Sequence, residues 1–112
     1  DRRVMVIACG EFGRTPRLVH AAKNFLGQPS WGRDHWPQAF SALVSGGGLR
    51  MGQVVGATNS KGEYPARAPV TPQDLLATVY RHLGVDYDHP FEDHAGRPVH
   101  ILPYGKPIAE LI

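Results

Sequence analysis

Glycine and proline interrupt this chain so often that long regular elements have little room to form. Its 112 residues include 13 glycines and 10 prolines, about a fifth of the total. Glycine adopts backbone conformations that suit turns, and proline cannot donate the hydrogen bond that a helix or sheet interior needs. We therefore predict a loop-rich chain with few regular elements.

The bulk properties exclude several classes of protein. Hydrophobic residues make up 42% of the chain and charged residues 20%, as in ordinary globular domains rather than disordered segments. No apolar run approaches the roughly 20 residues that span a bilayer, so no membrane span is expected. The formal net charge of +2 is spread along the chain without interleaved aromatic residues, which argues against nucleic-acid binding. Cys9 stands alone and cannot form an internal disulfide.

Short apolar runs predict the strands. Residues 4–8 form a continuous apolar run that is typical of a strand buried on both faces, as in a parallel sheet with helices on either side. Residues 40–45, 53–57 and 99–102 are further strand candidates, and the glycines at 46–48 favour a structural turn. Residues 16–37 are expected to form a long loop, with a helical turn around residues 19–23.

The clearest local signal predicts one helix over residues 71–83. Thr71 can cap its start, Pro72 suits the first helical position, and Asp74 can reach back to the cap. Gly84 is placed to end the helix. Together with the strand pattern, this predicts an α/β fold with few strands, one clear helix and long loops.

The first candidate site is the segment 10–16 (GEFGRTP), which follows the first predicted strand. Ligands in open α/β sheets bind beyond the carboxyl ends of the strands. Glu11 could supply a carboxylate oxygen to a divalent cation, and Arg14 could bind a phosphate or sulfate through two hydrogen bonds. The alternative is that Glu11 and Arg14 simply pair with each other or cap the next element.

The second candidate site is the segment 32–37 (GRDHWP). A neutral imidazole is the commonest transition-metal ligand, so His35 is a candidate, and Asp34 could join the site or orient the imidazole. Arg33 is a candidate for anion binding. The alternative is a surface turn in which Asp34 caps an element and Trp36 packs. The other histidines show no metal-ligand spacing and are expected on the surface or in loops: His20, His82, His89, His94 and His100.

The ordered combination of segments 11–16, 32–36, 71–78, 83–85 and 96–98 runs over nearly the whole chain and resembles the C-terminal part of the domain-of-unknown-function 1501 family. The resemblance implies an alkaline-phosphatase-like, sulfatase-like fold whose full members are several times longer. Residues 1–112 are accordingly expected to be a single partial domain, the C-terminal portion of a larger one, and the missing N-terminal part is its expected partner. The opening of the chain on charged residues and a strand pattern, with no initiating methionine, agrees with this expectation.

The resemblance also implies roles for individual residues. Glu11 would bind one divalent metal ion and His35 a second, with Asp34 beside it; zinc, manganese, calcium and magnesium remain open. Phe12 stands where the superfamily has a histidine ligand, so at least one ligand is absent. Anion binding by Arg14 and Arg33 is inferred from guanidinium chemistry and not from the resemblance.

The implied activity is metal-dependent hydrolysis of phosphate or sulfate esters, with an anionic ester as substrate. No catalytic nucleophile is expected among these 112 residues, because in the superfamily it comes from the N-terminal part. The fragment is therefore expected to be inactive alone. The alternative is a non-catalytic binding or structural module on the same scaffold. The resemblance favours an exported or periplasmic protein in a bacterium, although the chain itself shows no export signal.

Overall fold

A computed structural model describes residues 2–21 and 23–112 of the chain. Within these residues there is one helix, α1 (Pro72–Leu83), and every strand is short. No helix among them is long and apolar enough to cross a membrane. The strands are β1 (Met5–Cys9), β2 (Gly13–Arg14), β3 (Val19–Ala21), β4 (Ser30–Gly32), β5 (His35–Trp36), β6 (Ala42–Gly46), β7 (Ala57–Thr58), β8 (Pro65–Arg67), β9 (Pro90–Glu92) and β10 (Pro98–His100).

The strands form separate two-stranded sheets. β2 pairs with β5, β3 with β4, β7 with β8, and β9 with β10, and each of these pairs is antiparallel. β1 pairs with β6. The amide of Gly47 donates to the carbonyl of Val4 at 2.7 Å, so the start of β1 lies beside the end of β6, as in an antiparallel pair.

The predicted α/β fold is therefore wrong. The structure consists mostly of small antiparallel strand pairs with a single helix. A parallel sheet needs crossover connections and helices on both faces, and one helix of 12 residues in the described chain cannot supply them. β1 also alternates between half-buried and exposed residues along most of its length, with Val6 58% exposed, rather than being buried on both faces.

Several element boundaries also differ from the sequence predictions. Of the predicted strand 53–57, only Ala57 is in a strand, and β8 has no counterpart among the predicted strands. The helical turn expected around residues 19–23 is wrong for residues 19–21, which form β3; residue 22 lies outside the described residues. A turn beyond β3 explains the difference, because the Asn24 side-chain oxygen accepts from the amides of Leu26 and Gln28 at 2.9 and 3.0 Å.

The chain divides into two compact units, which we name by their main elements. The helical unit comprises Asp1–Val6, Ser45–Val55 and Val70–Ile112. The hairpin unit comprises Ile7–Val44 and Gly56–Pro69. Among the described residues, the buried side chains all lie in the helical unit: Ala77, Thr78, Leu102 and Ile108.

The predicted helix is confirmed, together with its start and its end. The Thr71 side chain accepts from the Asp74 amide at 3.2 Å, and the Asp74 carboxylate accepts from the Thr71 amide at 2.8 Å. Gly84 ends the helix in the left-handed conformation. The buried hydroxyl of Thr78 accepts from the amide of Ile108 at 2.9 Å, which ties the C-terminal segment to the helix.

Candidate functional site

The β2–β5 pair brings the two predicted site segments together. Arg14 lies directly opposite His35, and Gly13 lies opposite Trp36. Beyond the pair, the amide of Thr15 donates to the carbonyl of Asp34 at 3.0 Å, and the Thr15 hydroxyl accepts from the Asp34 amide at 3.1 Å. Segments about 20 residues apart in sequence thus form one surface in the hairpin unit.

Glycine is required at position 13 because the chain passes close by. A side-chain carbon at this position would overlap the carbonyl oxygen of Ala39. A residue without a side chain therefore allows β2 to approach this neighbouring segment. The close packing fixes the position of β2, and with it the side chains on either side of Gly13.

An aromatic stack lies at the centre of this surface. The rings of Phe12 and His35 are 4.0 Å apart between centroids, with an interplanar angle of 28°. The guanidinium carbon of Arg14 lies 5.6 Å from the centroid of the Phe12 ring, within the range of a cation–π contact. We call Phe12, Arg14 and His35 the β2–β5 cluster. In this cluster Phe12 supports the imidazole of His35 through ring contact.

The carboxylates of Glu11 and Asp34, both predicted as metal ligands, make no hydrogen bond or ion pair with other described residues. Glu11 is also exposed. The alternative pairing of Glu11 with Arg14 is not formed, whereas Asp93 and Arg97 do form an ion pair, at 2.7 Å. Asp34 takes part in this region through its backbone, so its carboxylate does not orient the imidazole of His35 by a hydrogen bond.

The donor types of Glu11 and His35 suit a divalent metal ion. However, the described residues bring no group of three His, Cys, Asp or Glu side chains together in a way that could hold one. A metal ion bound by Glu11 or His35 would need further ligands from outside the described residues. The assignment of Glu11, Asp34 and His35 as metal ligands stays a prediction.

The two predicted anion-binding arginines differ in what they contact. Nη1 of Arg33 donates to the carbonyls of Thr15 and Pro16 at 2.8 and 2.7 Å, so this guanidinium holds the loop after β2 in place. Nη1 of Arg14 makes one longer bond, 3.4 Å, to the carbonyl of Arg33. Arg14 therefore keeps more of its donors for an anion than Arg33 does. Sequence reasoning missed the loop-fixing role because nothing in the pattern reveals the partners of Arg33.

The hairpin unit also contains a cavity that sequence reasoning missed. Its volume is about 540 Å³, and its lining residues are Thr15, Pro16, Arg17, Val19, Trp36, Lys61 and Glu63. The indole N–H of Trp36 donates to the carbonyl of Glu63 at 2.6 Å, which fixes the ring in the wall. The one available signal was Trp36 itself, since neighbouring residues in a strand point to opposite faces, which places Trp36 on the other side from His35.

The carboxylates with shifted pKa values, Asp74 and Asp93, belong to the helical unit. Partial burial alone would raise the pKa of Asp74, but hydrogen bonds from the Thr71 side chain and from the amides of Lys106 and Thr71 outweigh it and lower the pKa. Hydrogen bonds from the amide and side chain of Arg97 and from the Ala95 amide lower the pKa of Asp93. Both carboxylates are acceptors that hold local structure, so neither marks a second reactive site.

The structure defines this chain as a set of small strand pairs with one helix, in which Arg14 and His35 are cross-strand partners and an exposed carboxylate, Glu11, precedes the pair. Residues 2–112 match the family described as "Protein of unknown function (DUF1501)", and the chain belongs to this family. No curated protein and no solved structure gives a significant match. The family membership confirms the sequence resemblance at this level.

Proposed function

We propose that this chain carries one part of a metal-dependent hydrolase of phosphate or sulfate esters that is related to the alkaline-phosphatase-like superfamily. Glu11 and His35 would each bind a divalent metal ion, and Arg14 would bind the anionic ester group. The remaining ligands and the nucleophile are assigned to parts of a longer protein outside these residues. The proposal concerns that whole protein, and the 112 residues alone are expected to be inactive.

The observation that carries the proposal is the register of the β2–β5 pair. It places Arg14 directly across from His35, while Glu11 remains exposed and without a hydrogen-bond or ion-pair partner among the described residues, just before the pair. Cross-strand partners have side chains close together on one face, so a cation and a potential metal ligand share that face. A phosphate or sulfate group needs this combination, because its oxygens bind both metal ions and guanidinium groups.

Each residue of the β2–β5 cluster would have a different role in binding the ester or the metal ion. Arg14 has free N–H donors with which to orient the non-bridging oxygens of the ester. Phe12 holds the imidazole ring of His35 by stacking, which limits its rotation. Bound metal ions would supply the positive charge that stabilises the developing oxyanion. The chain itself thus supplies ligands and positioning.

The test uses the full-length parent protein with the substitutions Glu11→Ala and His35→Ala. Metal content and turnover of aryl phosphate and aryl sulfate esters are measured for each variant. We expect both to lose bound metal and to lose turnover by at least about tenfold, because a lost ligand weakens a metal centre at least as much as a lost supporting residue. Matched controls are Glu92→Ala and His100→Ala, which remove an exposed carboxylate and an exposed imidazole from the helical unit.

A second candidate function is a non-catalytic binding or structural module. The observation that favours it is Phe12, which occupies the position next to His35 with a ring that cannot bind a metal. This candidate predicts a parent protein that is metal-free, turns over neither ester and is unaffected by Glu11→Ala or His35→Ala. Metal loss in both variants, with the controls unchanged, would exclude it.

A further inference from the structure

We infer that the cavity of the hairpin unit binds a small aromatic carboxylate, independently of the proposed hydrolase function. The cavity volume of about 540 Å³ lies within the range of small-molecule sites and has ample room for one six-membered ring with a short substituent. Trp36 lines this cavity, whereas its strand neighbour His35 belongs to the β2–β5 cluster on the opposite face. A molecule bound in the cavity would therefore not compete with a metal ion for the predicted metal-binding residues.

One wall of the cavity is held in place by backbone hydrogen bonds. Thr15 and Pro16 line this wall, and the guanidinium of Arg33 binds both of their carbonyls. The hydroxyl of Thr15 also donates to the carbonyl of Arg17 at 2.9 Å, which fixes the next turn of the chain. A wall that is already ordered loses little conformational entropy when a ligand binds.

The cavity also offers an apolar ring surface, which belongs to Trp36. The N–H of the Trp36 indole is already used in its bond to the Glu63 carbonyl, and Tyr64 lies against the same ring at 5.8 Å between centroids. The carbon surface of the indole is therefore what Trp36 presents to a ligand. Pro16 and Val19 add apolar surface to the lining. A flat ring can stack or pack on this surface, and a fully hydrated ion would gain nothing from it.

The charges that line the cavity favour an anion. Arg17 and Lys61 both line it, and neither side chain has a hydrogen-bond or ion-pair partner in the described part of the chain. Glu63 is the one carboxylate in the lining, and its Oε2 accepts from the Asn59 side-chain amide at 3.1 Å. The lining therefore contains two cations and one carboxylate, and that carboxylate already accepts a hydrogen bond. A ring with a single carboxylate complements both the apolar surface and this excess positive charge.

The NMR signal of the Trp36 indole N–H can report directly on ligand binding in the cavity. The chain has two tryptophans, so in the variant Trp31→Phe the remaining indole N–H signal in a ¹⁵N–¹H NMR spectrum belongs to Trp36. Trp31 is 70% exposed and lies outside the cavity lining, and phenylalanine preserves an aromatic contact with His20. The labelled 112-residue chain is titrated with benzoate, with benzyl alcohol and with acetate. The wild-type chain, which shows both indole signals, is titrated in parallel.

We expect benzoate to shift the Trp36 signal to saturation, with a dissociation constant on the order of 1 mM. Benzyl alcohol has the ring without the charge and acetate has the charge without the ring, so each should bind at least about fivefold more weakly. Arg17→Ala and Lys61→Ala should each weaken benzoate binding about threefold, as the loss of one exposed charge contact does. Arg67→Ala removes an exposed cation of the same unit outside the lining and should leave binding unchanged.

Three results would overturn the inference. Equal responses to benzoate and benzyl alcohol would show an apolar site without charge selection, and equal responses to benzoate and acetate would show a simple anion site. A benzoate shift that is absent, never saturates, or is unaffected by both Arg17→Ala and Lys61→Ala would show that the cavity does not bind this class of ligand. These readings do not depend on metal content or ester turnover, so the proposed function can fail or hold separately.

Discussion

The helical unit and the hairpin unit are stabilised in different ways. In the helical unit, Ala77 and Thr78 are 0% and 1% exposed, and the chain around Ile108 is anchored to the helix. In the hairpin unit no described side chain is fully buried, and the segments are held by short strand pairs and by side chains that bind backbone carbonyls. The candidate site and the cavity both lie in the hairpin unit. Both proposed sites thus lie in the unit that depends least on a packed core.

The largest effect is expected at the close approach in the hairpin unit. Gly13→Ala would place a carbon on the carbonyl oxygen of Ala39, and relief requires a backbone shift that costs about 3 kcal/mol. Amide hydrogen exchange should become faster in β2 and β5. Gly32→Ala is the control, because its added carbon meets nothing within 4 Å and should change the unfolding free energy by less than about 0.5 kcal/mol. An equal loss of protection in α1 would show that the two units are not stabilised separately.

The corresponding test in the helical unit is Thr78→Val. Valine preserves the shape of the side chain but leaves the buried amide of Ile108 without its acceptor, which we expect to cost about 2 kcal/mol. Chemical denaturation measures the change in unfolding free energy. Thr58→Val is the matched control on an exposed strand residue of the hairpin unit and should be close to neutral. A neutral Thr78→Val would mean that the hydrogen bond from Ile108 does not contribute to holding the C-terminal segment.

A smaller effect is expected from Arg33→Met, which keeps the apolar stem but removes the guanidinium. Loss of its bonds to the carbonyls of Thr15 and Pro16 should cost about 1 kcal/mol and speed the exchange of the Thr15 amide. Arg67→Met, on an arginine with no such bonds, should leave that exchange unchanged. If Arg33→Met also leaves it unchanged, the hairpin unit does not rely on side chains that bind its backbone.

The sequence predicted the elements whose causes are local. The helix start depends on Thr71, Pro72 and Asp74, which are neighbours in the chain, and its end depends on Gly84. These signals act within one or two helical turns, so the sequence alone reveals them. The apolar run at residues 4–8 likewise marked a strand, β1, correctly.

The sequence could not predict how the strands pair, because pairing depends on contacts between distant residues. The run at residues 4–8 is apolar enough for a parallel sheet, but its actual partner is β6 in a two-stranded sheet. The candidate site shows the same limit. Segments 10–16 and 32–37 were predicted as two separate candidate sites. The stacking of Phe12 on His35 and the loop-fixing bonds of Arg33 appear only when β2 and β5 pair in register.

The smallest expected effect is on the acid stability of the helical unit, and the lowered pKa of Asp74 determines its sign. Hydrogen bonds from Thr71 and the Lys106 amide lower the pKa of Asp74 below its usual 3.8 in the folded chain, despite partial burial that would raise it. At pH values just below 3.8, the unfolded chain therefore binds more protons than the folded chain. The stabilisation is present above pH 3.8 and is lost as the pH falls toward the lower folded pKa of Asp74.

Thermal unfolding followed by circular dichroism at pH values from neutral to strongly acidic tests this linkage. The wild-type melting temperature should fall as the pH drops below 3.8, and Asp74→Asn should lower it at neutral pH while reducing its dependence on acid. Some dependence should remain, because hydrogen bonds from Arg97 and Ala95 also lower the pKa of Asp93. Asp34→Asn removes a carboxylate without a hydrogen-bond partner and should preserve the wild-type profile. If Asp34→Asn flattened the profile as much as Asp74→Asn, acid would act on the hairpin unit as well, and the contrast between the two units would not extend to their carboxylates.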